Sequence, residues 1–292
     1  MKIHYNLTTI LLAFFVYSCG TNSGSKTEEK TAEELREEKT MRDIEKLLQD
    51  MPPPSLVPFT LKSIGAPLDK VHINGLYKMQ SYVGNRDKLA LNMGVYASDI
   101  SYLAAYGHEE ECIEYLKTAH KMAEILGDSA IFGQDEVDEF EGHVVASSDE
   151  EIAKLLSKMF LKTSLQMEQD HHLTMAGLAL AGSFVEGLYQ AVITIETYPN
   201  TEKNQKLLEP LINIVLGEQQ ALRDIIAVLE DLPFDETIAE ISTELSILDK
   251  LYEGDLKEVE EKMKEDPNFI VNKNMMRDIT IEVKRIRESI VI

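Results

Sequence analysis

Met175-Ala176-Gly177-Leu178-Ala179-Leu180-Ala181-Gly182-Ser183-Phe184-Val185 carries no charge and consists mainly of small and apolar residues. A helix at a protein surface keeps one polar face, whereas a helix that is apolar all round is buried all round. The small residues let neighbouring helices approach closely. Eleven residues are too few to cross a bilayer, which takes about 20. The stretch is therefore expected to be the central helix of a bundle.

The sequence on either side supports that reading. Leu89, Met93, Tyr96, Ile100 and Leu103 recur at helical spacing. So do Ile113, Leu116, Ala119, Ala123 and Leu126, and Gly127 stops them, which predicts a hairpin of helices over residues 89–106 and 110–126. Ser148-Asp149-Glu150-Glu151 is a capping box ahead of Ile152, Leu155, Leu156, Met159 and Phe160. Leu208 to Leu229 predicts one long helix kinked near Pro210. Ile238, Ile241, Leu245 and Leu248 mark the next helix, and Met276, Ile279, Val283, Ile286 and Ile290 the last. Residues 56–67, with two prolines, read as irregular. No alternating run bounded by hairpin turns is found. The expected fold is all-α: an antiparallel multi-helix bundle or stacked helical hairpins, forming a single globular body over residues 56–292. No repeat with a period of a helical solenoid is detectable.

The N-terminus reads differently. A short apolar run, Ile10 to Val16, precedes Tyr17-Ser18-Cys19-Gly20. It is too short to span a membrane and has the layout of a cleavable lipoprotein signal over residues 1–18. Cys19 is the expected lipidation site. Residues 19–55 then form a small, polar tether and a charged peripheral helix. Thr31-Ala32-Glu33-Glu34 caps that helix, and Pro52-Pro53-Pro54 ends it. Ahead of Ile44, Leu47, Leu48 and Met51 the helix is nearly all charged, as a solvated stalk would be.

The chain has 29 basic and 51 acidic residues, a formal net charge of −22. Such a surface repels phosphate backbones, so no nucleic-acid partner is expected. It also disfavours docking on anionic lipid, which leaves membrane attachment to the acyl chains. There are two cysteines. With Cys19 lipidated, Cys112 has no intrachain partner and reads as a small buried side chain on a helix.

Polar residues interrupt the apolar helices at two places. Asn92, Asp99, Tyr102 and Tyr106 share one helix face, and Glu186 and Tyr189 follow the uncharged stretch. If those helices face each other, Asn92, Asp99, Tyr102, Glu186 and Tyr189 form a polar pocket inside an apolar bundle. A buried carboxylate there could bind a small polar ligand or serve as a base of raised pKa. The competing reading is a structural network that fixes helix register. Glu186 should be protonated or paired, with Tyr102, Tyr189 or Asn92 as the nearest donors. Glu168-Gln169-Asp170-His171 is a single Glu-x-x-His step, whereas di-iron bundles use two. No metal, cofactor or catalytic constellation is expected.

Leu91-Asn92-Met93-Gly94-Val95-Tyr96-Ala97-Ser98-Asp99-Ile100-Ser101-Tyr102 and Phe184-Val185-Glu186-Gly187-Leu188-Tyr189 resemble segments of a family of uncharacterised all-helical outer-membrane lipoproteins from Bacteroidota. The resemblance covers roughly residues 52–200. It implies a lipid-anchored outer-membrane protein and nothing catalytic. Ser25-Lys26-Thr27-Glu28-Glu29 loosely resembles the signal that sends such lipoproteins to the cell surface. The expectation is a non-enzymatic binding or accessory component of the cell envelope, with the membrane and an outer-membrane protein as partners. The alternative is a small-ligand-binding or hydrolytic protein using the carboxylate and tyrosine pocket.

Overall fold

A computed structural model describes residues 31–50, 56–127, 138, 142, 170–266 and 269–292. Within them the protein is all-α. The helices are α1 (Ala32–Asp50), α2 (Leu56–Ser63), the one-turn α3 (Met79–Tyr82), α4 (Arg86–Ala105), α5 (Glu109–Leu126), α6 (Asp170–Thr197), α7 (Glu202–Gly217), α8 (Gln219–Asp231), α9 (Glu236–Leu251), α10 (Lys257–Glu265) and α11 (Arg277–Val291). The signal region around Cys19, residues 52–54, the helix expected after Ser148 and Glu168 lie outside the described residues, as do the side chains of His171 and His172.

The uncharged stretch lies in the middle of α6, whose 28 residues make a rod of about 42 Å. Its apolar part, Leu173–Thr197, is longer than the eleven uncharged residues suggest. It is long and apolar enough to cross a membrane, yet 89% of its most apolar window is buried inside the body. Protein, not lipid, covers it: α4 makes the most extensive contact, and α11, α7, α8, α2 and α1 take other faces.

Glycines set the α4–α6 spacing. A Cβ on Gly94 would lie 1.8 Å from the carbonyl oxygen of Ala179, and one on Gly182 would lie 2.0 Å from that of Leu91. The two backbones therefore touch. One turn further on, Ser98 Oγ donates to the Ser183 carbonyl at 2.9 Å. Shape complementarity at atomic range is what a close-packed interior requires.

The predicted hairpin is present. Asn85 caps α4 by accepting from the backbone of Asp87 and Lys88, and Gly127, with φ +90°, terminates α5 in the left-handed conformation. The stripes of α9 and α11 predicted from sequence are buried.

Three local expectations are corrected. Leu56–Ser63 is helical, because Pro58 falls in the first turn, where no backbone donor is needed. Leu208–Leu229 is two helices, and the break comes at Gly217–Glu218, not at Pro210, which stays inside α7. The Tyr252 hydroxyl donates to the Val215 carbonyl at 2.7 Å and satisfies an acceptor that the break releases. The charged helix α1 is docked and not solvated all round. Thr40 and Ile44 are buried, and Arg36 Nε donates to the Asp231 carbonyl at 2.9 Å.

Candidate functional site

Residues 66–78 run between α2 and α3 with little regular structure, so their backbone groups need partners from side chains. Tyrosines supply them. Tyr106 donates to the Ala66 carbonyl at 2.7 Å, Tyr115 to that of Asn74 at 2.9 Å and Tyr96 to that of Gly75 at 3.1 Å. Tyr102 accepts from the Asp69 amide at 3.2 Å. Burial pushes all four phenols up, so they stay neutral. The segment is strapped onto α4 and α5.

Asn74 carries the strap into the core. Its amide donates to Asp99 Oδ2 at 2.9 Å, and its Nδ2 to Tyr82 and to Asn92 Oδ1, both at 3.1 Å. Asn92 and Tyr82 turn to the end of α11. Asn92 Nδ2 donates to the Ile290 carbonyl at 2.9 Å and the Tyr82 hydroxyl to that of Val291 at 3.0 Å. Lys78 and Lys88 reach the carbonyls of Val291 and Ile292 at 3.2 and 2.7 Å. Cations and donors at a helix C-terminus meet both its unsatisfied carbonyls and its negative dipole end.

At the centre are two fully buried carboxyls, Asp99 of α4 and Glu186 of α6. Arg287 of α11 grips Glu186 with two parallel bonds, Nε to Oε2 at 2.9 Å and Nη2 to Oε1 at 3.1 Å. This fork geometry is the strong form of a charge-assisted pair. The guanidinium also stacks 4.4 Å from the centre of the Tyr189 ring, and His72 meets that ring edge-on. Gln190 Nε2 donates to Asp99 Oδ1 at 3.2 Å.

Asp99 and Glu186 are close enough for each to shift the other's titration. Burial and then the Glu186 charge hold Asp99 well above the usual carboxylate range. Burial also raises Glu186, but Arg287 opposes that shift through charge and hydrogen bonds. Asp99 therefore favours its protonated form, while Arg287 favours the charge on Glu186. Burial lowers His72, so it too is neutral.

The structure thus buries Asp99 and Glu186 within range of each other, links Asn92 to Asp99 through Asn74, and links Tyr189 to Glu186 through Arg287. Tyr102 ends on the strap and does not reach Glu186. The donors expected for Glu186 are corrected: none of Tyr102, Tyr189 and Asn92 supplies them, and Arg287 does. Sequence reasoning missed Arg287, Asn74, Gln190, Tyr82 and Tyr115. Two signals were available. Arg287 continues the Val283 step of the α11 apolar stripe, and Gln190 lies one turn after Glu186.

Cys112 is buried, and burial pushes its thiol up to about 12, which removes nucleophilic character at neutral pH. Among the described residues no group of three or more His, Cys, Asp or Glu could hold a metal ion. Comparison of the chain with protein-family models, with curated proteins and with solved structures returned no match.

Proposed function

We propose that this is a lipid-anchored helical protein of the cell envelope, held at the outer membrane through Cys19, which works as a non-enzymatic binding or accessory component. The observation that carries the non-enzymatic part is the closure of the buried cluster. Both oxygens of Glu186 are engaged by Arg287, and both oxygens of Asp99 accept, from the Asn74 amide and from Gln190 Nε2. A general base needs a free lone pair within reach of a substrate proton, and all four carboxyl oxygens are already engaged. The cluster joins α4, α6 and α11 and orients the 66–78 strap. The lipid anchor rests on the Val16-Tyr17-Ser18-Cys19-Gly20 sequence, and docking to an outer-membrane protein is proposed from that anchor and the acidic helical body.

A ligand-binding reading has one observation in its favour. Asn74 Oδ1 and Gln190 Oε1, both next to Asp99, are buried acceptors without a protein donor. The experiment is fractionation and pull-down from native membranes. Lipidated protein should partition into detergent and bring down a stoichiometric protein, and Cys19→Ala should release it or stall its processing. Unchanged membrane fractionation of Cys19→Ala defeats the anchor. A bound small molecule without a protein partner favours the ligand reading.

A further inference from the structure

Among the described residues the most exposed large apolar side chain is Phe234, 92% exposed, in the turn Leu232–Asp235 between α8 and α9. A phenyl ring held fully in water forfeits the gain that burial would give it. Its surroundings place it beside the start of α1. Arg36 donates to the carbonyls of Asp231 and Leu232, and Lys39 pairs with the Asp231 carboxylate. The first turns of α1 therefore lie across the end of α8, and Leu35, 53% exposed, belongs to those turns.

That end of the body is also where the chain from Cys19 enters, at Thr31. Twelve residues separate the two, about 43 Å at full extension and about 20 Å as a flexible coil. Phe234 is thus within tether reach of any bilayer that holds Cys19. Tethering raises the effective concentration of such a contact to the millimolar range, so one aromatic and one leucine suffice. Of the carboxylates nearby, Asp231 pairs with Lys39 and Asp235 accepts from the amides of Thr237 and Ile238, while Glu236 is exposed. The net charge of −22 still opposes an anionic surface.

We propose that Phe234, with Leu35, is the foot on which the body rests on a zwitterionic lipid surface, the same surface that anchors Cys19. The inference rests on the lipid-anchor reading. It predicts that the tether end of the molecule faces the membrane and that α6 does not enter it.

The test uses the chain from Cys19 onward, coupled through that thiol to maleimide lipid in phosphatidylcholine and phosphatidylethanolamine vesicles. Buried Cys112 does not compete. The protein has no tryptophan, so Phe234→Trp gives a single reporter. On vesicles its emission should shift to the blue, be quenched by brominated lipid and be shielded from aqueous acrylamide. Tyr77→Trp, at a site 83% exposed, should keep its solvent-like emission. Water-like emission from Phe234→Trp overturns the proposal. So does a blue shift that brominated lipid does not quench, which would assign Phe234 to a protein contact. Because the coupling is chemical, failure here leaves the lipid-anchor reading standing, and that reading falls only with the fractionation of Cys19→Ala.

Discussion

Replacing Arg287 by Met removes the cation from the buried cluster and keeps most of the side-chain volume. Glu186 is then fully buried without a counter-charge. Breaking a buried pair by removing one partner costs about 3–5 kcal/mol. The escape is protonation of Glu186. An ordinary Glu titrates near 4.3, so at pH 7 keeping it protonated costs about 3.7 kcal/mol, at 1.36 kcal/mol per unit. The folded-state pKa in the variant is raised above the unfolded value. Folding then takes up a proton, and stability falls as pH rises. The variant should lose about 3–4 kcal/mol at pH 7 and only about 1 kcal/mol at pH 5. Adding Glu186→Gln should recover most of the loss, since both charges are then gone. Urea unfolding followed by circular dichroism at the two pH values measures this, with an unchanged slope confirming the same two states. A loss below about 1 kcal/mol at pH 7 would refute the charge pairing. An equal loss at both pH values would show that the stack on Tyr189 matters and the charge does not.

Two further expectations concern other parts of the body. Gly94→Ala forces a methyl into the Ala179 carbonyl, which cannot rotate aside, so α4 and α6 must separate at about 1–3 kcal/mol or more. Gly177→Ala meets only the end of the Leu232 side chain and should cost less, so thermal melts that rank the pair the other way contradict the close approach. Glu218, at the α7–α8 break, is pushed up to about 7 by burial. Its raised value means that stability is lost as pH rises from the ordinary carboxylate range through about 7, by at most about 3 kcal/mol. Glu218→Gln should flatten that part of the profile and stabilise the protein at pH 8. A profile unchanged by the substitution would place the titration elsewhere.

The all-helical class was legible because Met175–Val185 has no polar face and because the α4, α5, α9 and α11 stripes are regular. The hairpin ends were legible because Gly127 can adopt a positive φ without cost. The α7–α8 break was not. Pro210 is the stronger local signal, but the break comes where the Val215 carbonyl accepts from Tyr252, which lies 37 residues further on. The candidate site was half legible. Polar residues inside apolar helices marked Asp99 and Glu186, whereas Arg287 looked like one more charge in a charged C-terminal helix. That omission changes a consequence. With tyrosine or asparagine donors, Glu186→Gln would cost little. With Arg287 as partner it strands a buried guanidinium.

The central claim is that Asp99 holds a proton at neutral pH beside the Arg287-bound Glu186, so that the buried carboxyls form a structural clamp. Infrared difference spectroscopy between the wild-type protein and Asp99→Asn at pH 7 tests this directly. The account predicts a protonated carboxyl stretch in the wild type that is lost in Asp99→Asn and so appears in the difference spectrum, where the band of Glu218, half-protonated near pH 7 in both proteins, cancels. A difference spectrum with no protonated carboxyl band lost on Asp99→Asn would contradict it.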